Sequence, residues 1–192
     1  MSSREDYNQY WSRKYEILVK YDSSSQTYEE LYEEEQSKKF DSVLEAYSKP
    51  RGKLALDCGC GTGLLIRKIA GVFKVVVGVD CSKAMLRLAK KKSSGMGNVH
   101  LILADLDFLP ISKAACEVVF SFTVLQLSPK PSKTIGEFRR VLKNNGELAV
   151  SVLKVAVNKG EIINLLQGGG FSLLFWINRV DVKDYVALCR AI

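Results

Sequence analysis

The chain has 192 residues, 47% hydrophobic and 26% charged, which fits one soluble globular domain spanning residues 1–192. No apolar run reaches the ~18 residues of a membrane span and the polar N-terminus is unlike a signal peptide, so we expect a cytoplasmic protein without membrane contact. The net charge of +7 is uneven: the first 45 residues carry 6 basic and 11 acidic side chains, and the remainder carries 22 and 10.

Two helices are predicted before the first core strand. Aromatic and apolar residues recur at helical spacing from Glu5 to Lys20, and again from Thr27 to Tyr47. Between them, Asp22-Ser23-Ser24-Ser25 breaks the pattern, and Pro50 and Gly52 end the second helix. We therefore divide the domain into an N-terminal helical segment, residues 1–48, and a core, residues 49–192.

The core alternates strands with helices. Continuous apolar strands of this kind indicate an α/β fold, with a mainly parallel sheet covered by helices on both faces. The predicted strands are Lys53–Cys58, Lys74–Asp80, Val99–Ala104, Ala115–Phe122, Glu147–Lys154, Phe171–Arg179 and Asp184–Ala191, and the predicted helices are Gly63–Gly71, Ser82–Lys92, Lys130–Leu142 and Lys159–Leu166.

A glycine-rich loop joins the first core strand to the next helix, in the stretch Asp57-Cys58-Gly59-Cys60-Gly61-Thr62-Gly63. Such glycines allow positive φ and let a ligand lie against bare main chain. A dinucleotide fingerprint needs a third glycine where Leu64 or Ile66 stands, and no P-loop sequence is present. Two alternatives remain, an acid followed by Gly-x-Gly-x-Gly at a ligand site, or a strand–helix turn without a ligand.

Acidic residues also mark the next two strand ends. Asp80 closes the second strand, and Asp105 follows the third. Ligands of such sheets bind at the carboxyl ends of the strands, and a carboxylate there can accept hydrogen bonds from both hydroxyls of a ribose. One acid at a strand end is commonly a helix cap, but Asp57, Asp80 and Asp105 on successive strands favour a binding site. We expect Asp80 to be unpaired in an open cleft.

These motifs resemble the class I S-adenosylmethionine (SAM) dependent methyltransferases. The glycine loop is similar to their motif I, and Arg139-Arg140-Val141-Leu142-Lys143 followed by Asn144-Asn145-Gly146 is similar to the Arg-Val-Leu-Lys-Pro-Gly-Gly stretch of the type 11 methyltransferase domain. Tyr21-Asp22 and Tyr28 resemble the segment that lids the SAM pocket in those enzymes. The resemblance covers about residues 21 to 192.

The resemblance implies a Rossmann-like fold with a seven-stranded sheet whose last strand is antiparallel. It implies SAM as the cofactor and S-adenosylhomocysteine as the product. The loop would carry the methionine half of SAM, Asp80 the ribose, and Asp105 the adenine amino group. The residues so implied in cofactor binding are Asp57, Gly59, Cys60, Gly61, Gly63, Asp80, Cys81, Met85, Asp105, Leu106 and Ser121.

The methyl acceptor is not identified by a motif. Ser121-Phe122-Thr123-Val124 differs from the Asn/Asp-Pro-Pro-Tyr/Phe segment with which related enzymes grip planar nitrogens, which argues against adenine N6, guanine N2 and glutamine. Methyl transfer from a sulfonium needs little acid–base chemistry, so no catalytic residue is assigned. Candidates for the acceptor side are Tyr21, Tyr28, Phe122 and Gln126.

Three functions stay open. A methyltransferase for a small molecule is favoured by the type 11 resemblance. A methyltransferase for RNA (tRNA or rRNA) or for a translation-related protein, with an activating partner subunit, is favoured by the basic core and by one helix face. That face carries Lys83, Arg87, Lys90 and Lys91. The third alternative is a SAM-binding protein without catalytic activity.

We do not expect the cysteines to form disulfides or to bind a metal. The five cysteines lie in or beside apolar strands, and Cys58 and Cys60 have no second Cys or His pair nearby. We therefore expect buried, unpaired thiols and no metal site.

Overall fold

The computed structural model of the protein describes residues 3–46, 54–177 and 179–192. Tyr47, Pro50, Gly52 and Lys53, on which predicted element ends depend, lie outside these ranges. Six α-helices occur in the described residues, and we number them in chain order. They are α1 Ser3–Ser24, α2 Tyr28–Ala46, α3 Leu64–Ile69, α4 Lys83–Lys92, α5 Pro131–Val141 and α6 Lys159–Gly168.

The described residues also form one sheet of seven strands, in the order β3-β2-β1-β4-β5-β7-β6. Pairs among β1 to β5 are parallel, whereas β7 is antiparallel to both β5 and β6. The predicted fold, with its antiparallel last strand, is therefore confirmed. The strands are β1 Leu54–Cys58, β2 Val75–Asp80, β3 Val99–Leu103, β4 Cys116–Phe122, β5 Leu142–Leu153, β6 Phe171–Ile177 and β7 Asp184–Ala191.

Helices pack on both faces of the sheet. Because successive side chains of a strand point to opposite faces, neighbouring residues belong to different core clusters. Leu56 belongs to a core cluster that includes Phe138 of α5 and Ile162 of α6. Its neighbour Ala55 belongs to a second cluster, which includes Val43 of α2 and the apolar side of α3. The result is a helix–sheet–helix sandwich, and the carboxyl ends of β1 to β4 share one edge of it.

Two predicted boundaries are wrong. Asp22-Ser23-Ser24 does not break the first helix, because α1 continues to Ser24 and the break falls at residues 25–27. The interval predicted between the helix ending at Leu142 and the strand beginning at Glu147 lies inside β5, where Asn145 has φ 62° and the pairing with β4 shifts register. A bulge at this position keeps the strand continuous while it bends.

The cysteines are free, and Cys58, Cys60, Cys116 and Cys189 are buried as predicted. Cys81 is instead exposed, because it follows β2 at the sheet edge where the cleft opens. In the described part of the chain, no helix has the length and apolar character needed to cross a membrane.

Candidate functional site

The glycine loop turns sharply after β1. Gly59, Gly61 and Gly63 have φ of 79°, 52° and 84°, a left-handed conformation that residues with a Cβ rarely adopt. A Cβ on Gly59 would lie 2.4 Å from Val124 Cγ2, so this glycine permits close packing. A Cβ on Gly61 would meet nothing within 4 Å. Gly61 therefore presents bare main chain to open space.

Asp80 is held by main-chain groups on both sides. Its Oδ2 accepts from the Gly61 N–H at 2.8 Å and its Oδ1 from the Ser82 N–H at 2.8 Å. The expectation of an unpaired carboxylate is wrong: Asp80 ties the glycine loop to the start of α4. Burial raises the pKa of Asp80, and the main-chain hydrogen bonds oppose that rise. Each oxygen keeps a second lone pair, so both can also accept from a ligand.

Asp105 belongs to an ionic cluster that the sequence analysis missed. Lys14 of α1 contacts Asp105 Oδ1 and lies 2.7 Å from Asp107 Oδ2. The hydroxyls of Tyr10 and Thr134 donate to Asp107, which is 2% exposed. These contacts keep the pKa of Asp107 low, although burial opposes them. The second acid of Asp105-Leu106-Asp107 was visible in the sequence, but its partners come from distant elements.

A cavity of about 480 Å³ lies where these groups meet. That volume is in the range of small-molecule and cofactor sites. Most of the remaining lining residues are aromatic or apolar and come from α1 and from the end of β4. The lining includes Trp11, Lys14, Tyr15, Ile17, Leu18, Tyr21, Tyr28, Gly59, Gly61, Asp80, Cys81, Met85, Asp105, Leu106, Asp107, Phe122, Thr123, Val124, Leu127, Ser128 and Thr134.

Most predicted site residues are therefore brought together, but several are not on the cavity wall. Ser121 is fully buried in β4, and Gln126 donates from Nε2 to the Thr123 carbonyl. Gly63 is the N-cap of α3, where a Cβ would lie 3.2 Å from Ala89 Cβ, so it serves packing. Asp57 and Cys60 line a second, smaller cavity beneath the loop.

The smaller cavity, about 30 Å³, holds two oxygens without a hydrogen-bond partner among the described residues, Asp57 Oδ2 and Gln36 Oε1. Burial, together with the nearby charge of Asp80, raises the pKa of Asp57 to about 8. Two buried acceptors without donors suit a ligand that brings a cationic donor, such as the ammonium of the methionine half of SAM. The residues present thus fit the implied cofactor.

The pKa of Asp57 gives a first testable prediction. Between the ordinary pKa of an unfolded aspartate and about 8, the folded protein retains a proton that the unfolded chain releases. Raising the pH through that window should therefore lower the melting temperature of the ligand-free protein. Asp57→Asn should flatten this pH dependence, because an amide does not titrate. Melting curves from pH 5 to 8.5 that fall equally for both proteins would contradict the prediction.

The N-terminal helices contact the cofactor side of the cavity directly. Asp22 Oδ1 accepts from the Ser82 hydroxyl and from the Ala84 N–H at 3.2 Å, and so caps α4. Glu29 of α2 contacts the hydroxyl of Thr62 in the glycine loop and the ammonium of Lys92. These contacts place α1 and α2 across the carboxyl edge of the sheet, where the resemblance implied a lid.

Comparison with known proteins supports the same assignment. Residues 56–150 match a family model described as "Methyltransferase domain". A malonyl-[acyl-carrier protein] O-methyltransferase of Marinomonas sp. is 28% identical over 144 residues, 74% of this chain and 53% of that protein. A tRNA U34 carboxymethyltransferase of Aeromonas salmonicida is 32% identical over 129 residues, 65% of this chain and 39% of that protein. The chain thus spans about half the length, or less, of these relatives.

A solved structure extends the likeness to nearly the whole fold. A methyltransferase of Haloferax volcanii, in complex with the Trm112 methyltransferase activator, superposes with a TM-score of 0.74. The match covers 89% of this chain and 97% of that one, at 15% identity, and so concerns the fold alone. Sheet order, glycine loop, strand-end acids and the matched family model agree, and they assign residues 56–150 to the class I SAM-dependent methyltransferase family.

Proposed function

We propose that this protein transfers the methyl group of SAM to a small-molecule acceptor bound in the 480 Å³ cavity. The observation that carries the proposal is the acceptor side of this cavity, whose walls are apolar and aromatic. The lining includes Phe122, Val124 and Leu127, from the end of β4 and the residues after it, and Tyr15 and Tyr21 of α1. An apolar wall favours an acceptor with an apolar or planar body.

The cofactor would be held from both ends. The ammonium of SAM would lie near Asp57, its ribose at Asp80 and its adenine between Met85 and Asp105. When bound, SAM supplies an electrophilic methyl group on a sulfonium, whose leaving thioether is neutral. The protein then contributes placement, because aligning the reacting atoms supplies several kcal/mol of the barrier. Tyr21, Tyr28 and Phe122 are proposed to orient the acceptor and exclude water.

Cofactor choice is tested by thermal shift. SAM should raise the melting temperature, because a ligand that binds the folded state stabilises it by mass action, by about 2.7 kcal/mol at a hundredfold excess over Kd. NAD and ATP should leave the melting temperature unchanged, since the loop lacks both of their fingerprints. Stabilisation by NAD but not SAM would contradict the proposed cofactor.

The acceptor class is tested by following the label from [methyl-³H]SAM. Host-cell extract is separated into small-molecule, RNA and protein fractions, and each is incubated with the protein and the labelled cofactor. We expect label in the small-molecule fraction, and none when Asp80→Ala replaces the wild type. Label confined to RNA or to protein would overturn the small-molecule proposal, and SAM binding without label in any fraction would favour a non-catalytic role.

RNA is the second candidate acceptor, and α4 is the observation that favours it. Four basic side chains of α4 are exposed and form no ion pair with another described residue: Lys83, Arg87, Lys90 and Lys91. Unpaired cations in such a row suit a phosphate backbone. The similarity to a tRNA-modifying enzyme adds support. Retention on immobilised tRNA that weakens steeply between 50 and 200 mM salt is expected for this candidate, and salt-independent retention is not.

An activating partner subunit is a further proposal. Its support is the similar fold of a methyltransferase that is bound to an activator protein. On this chain, Leu103 of the outer strand β3 and Phe108 five residues later are 56% and 53% exposed, which leaves apolar surface available to a partner. Co-expression with candidate activators, followed by size-exclusion chromatography, tests the proposal through formation of a stable complex.

A further inference from the structure

A buried ion pair joins the N-terminal helix α2 to the sheet. Lys39 and Asp184 are 1% and 0% exposed, and Lys39 Nζ lies 2.8 Å from Asp184 Oδ1. Glu35, on the preceding turn of α2, lies 3.2 Å from the same ammonium. Removing both charges from water is costly, and an apolar pair of similar size often stabilises a fold equally well. The pair therefore calls for an explanation beyond stability.

The same two residues hold Thr123, the residue that follows β4. The Thr123 hydroxyl accepts from Lys39 Nζ at 2.9 Å and donates to Asp184 Oδ2 at 2.9 Å. Ser151 of β5 donates to the same Asp184 oxygen at 2.7 Å and accepts from the Thr123 N–H at 2.9 Å. Thr123 is thus fixed from three elements of the fold, α2, β5 and β7.

This fixation maintains a strained turn at the cavity wall. Thr123 has φ 60°, which is unfavourable for a β-branched residue and persists only where its surroundings enforce it. Thr123 and the following Val124 both line the large cavity. Val124 also packs against Gly59, the first glycine of the loop. A change in this turn would therefore move the wall that faces both the cofactor loop and the acceptor.

We propose that Lys39 is a positioning residue for methyl transfer: with Asp184, it holds the left-handed turn at Thr123 against the glycine loop and so fixes the wall beside the transferred methyl group. Lys39 itself does not line the cavity and touches neither ligand. The inference rests on the proposed function for its catalytic meaning, while the fixation of the turn can be measured without any ligand. It also makes α2 a part of the site rather than a detachable cover.

The test compares Lys39→Met with Lys38→Met in the full chain. Lys38 is a matched control, because it is the adjacent residue on α2 and pairs with Glu34, whose side chain is 87% exposed. In ligand-free protein, we expect amide hydrogen exchange at Thr123 to accelerate at least tenfold in Lys39→Met, relative to the central-sheet amide of Val77. Lys38→Met should change neither amide. Equal exchange at Thr123 in both variants overturns the inference.

A second readout uses SAM carrying a ¹³C-labelled methyl group. The methyl resonance of bound SAM should shift in Lys39→Met and in Thr123→Val, which replaces the hydroxyl with a methyl group. Thr123→Ser and Lys38→Met should keep the wild-type position. The affinity for SAM should change less than threefold in all of them. If Lys39→Met does not fold, the methyl resonance of bound SAM is compared between Thr123→Val and Thr123→Ser instead.

The possible outcomes distinguish a failure of the proposed function from a failure of the positioning role of Lys39. A wild-type protein that binds no SAM refutes the proposed function, and the exchange measurement at Thr123 still decides whether Lys39 fixes the turn. Normal SAM binding with an unmoved methyl resonance in Lys39→Met and in Thr123→Val refutes the positioning role and leaves the proposed function standing.

Discussion

Asp80→Ala should lower the affinity for SAM on the order of a hundredfold or more. Two charge-assisted hydrogen bonds to the ribose are removed, and each contributes about 1.5–3 kcal/mol. The structure adds a second effect, because the Gly61 and Ser82 N–H groups lose their acceptors at the same time. Both donors are half-buried, so leaving them without an acceptor costs at most about 1–3 kcal/mol each, and the melting temperature should fall as well.

Calorimetric titration with SAM, beside a melting curve, measures both effects. Asp80→Asn is the informative companion: its amide oxygen can still accept from one N–H, so it should recover part of the stability and little of the affinity. Asp41→Ala is the control, since Asp41 pairs with Lys68 on the surface away from the cavity lining. Lower stability with unchanged SAM affinity in Asp80→Ala would make Asp80 purely structural.

Gly61→Val should abolish detectable SAM binding. The main chain at Gly61 faces open space, where an added Cβ meets no protein atom within 4 Å, so a side chain there would fill the volume that the cofactor needs. Its φ of 52° adds strain of roughly 1–2 kcal/mol for any residue with a Cβ. The loss in binding free energy for SAM should therefore greatly exceed the loss in the free energy of unfolding. Calorimetric titration measures the first and the melting temperature reports the second.

Gly95 provides a matched control. It has φ 86°, and a Cβ there also meets nothing within 4 Å, but it lies in the turn after α4 and outside both cavities. Gly95→Val should reproduce the strain of Gly61→Val while leaving SAM affinity intact. Gly59→Val should differ from both, because its side chain would collide with Val124 and unfold the loop. Equal SAM binding by Gly61→Val and Gly95→Val would exclude a cofactor at the loop.

The fold was predictable because its signals are local. The valines of β2 form a buried strand whatever surrounds them, and Ser82 caps α4 with its own hydroxyl, which accepts from the Met85 N–H. The glycine spacing likewise determines the loop without reference to the rest of the chain. Asp80 was correctly assigned to the sheet edge, and only its hydrogen-bond partners, 2 and 19 positions away, were missed.

The residues that the sequence did not reveal, Lys14 and Lys39, contact partners that are far away along the chain. Lys14 meets Asp105 across 91 positions, and Lys39 meets Thr123 across 84. Both lysines lie in predominantly polar helices, where the spacing of polar residues cannot distinguish a buried ammonium from a solvated one. Such contacts depend on how the helices dock on the sheet, which is a property of the whole chain.

The position of β7 between β5 and β6 has a consequence for biosynthesis. A nascent chain that has emerged only as far as β6 exposes the edges of two strands that pair with β7 in the finished sheet. Open strand edges and delayed long-range pairing favour aggregation and slow folding. Asp184, the first residue of β7, also arrives long after Lys39 has been made. Ribosome pausing or truncation before residue 184 would therefore leave Lys39 without Asp184, its fully buried partner, and chaperone demand should peak at that stage of synthesis.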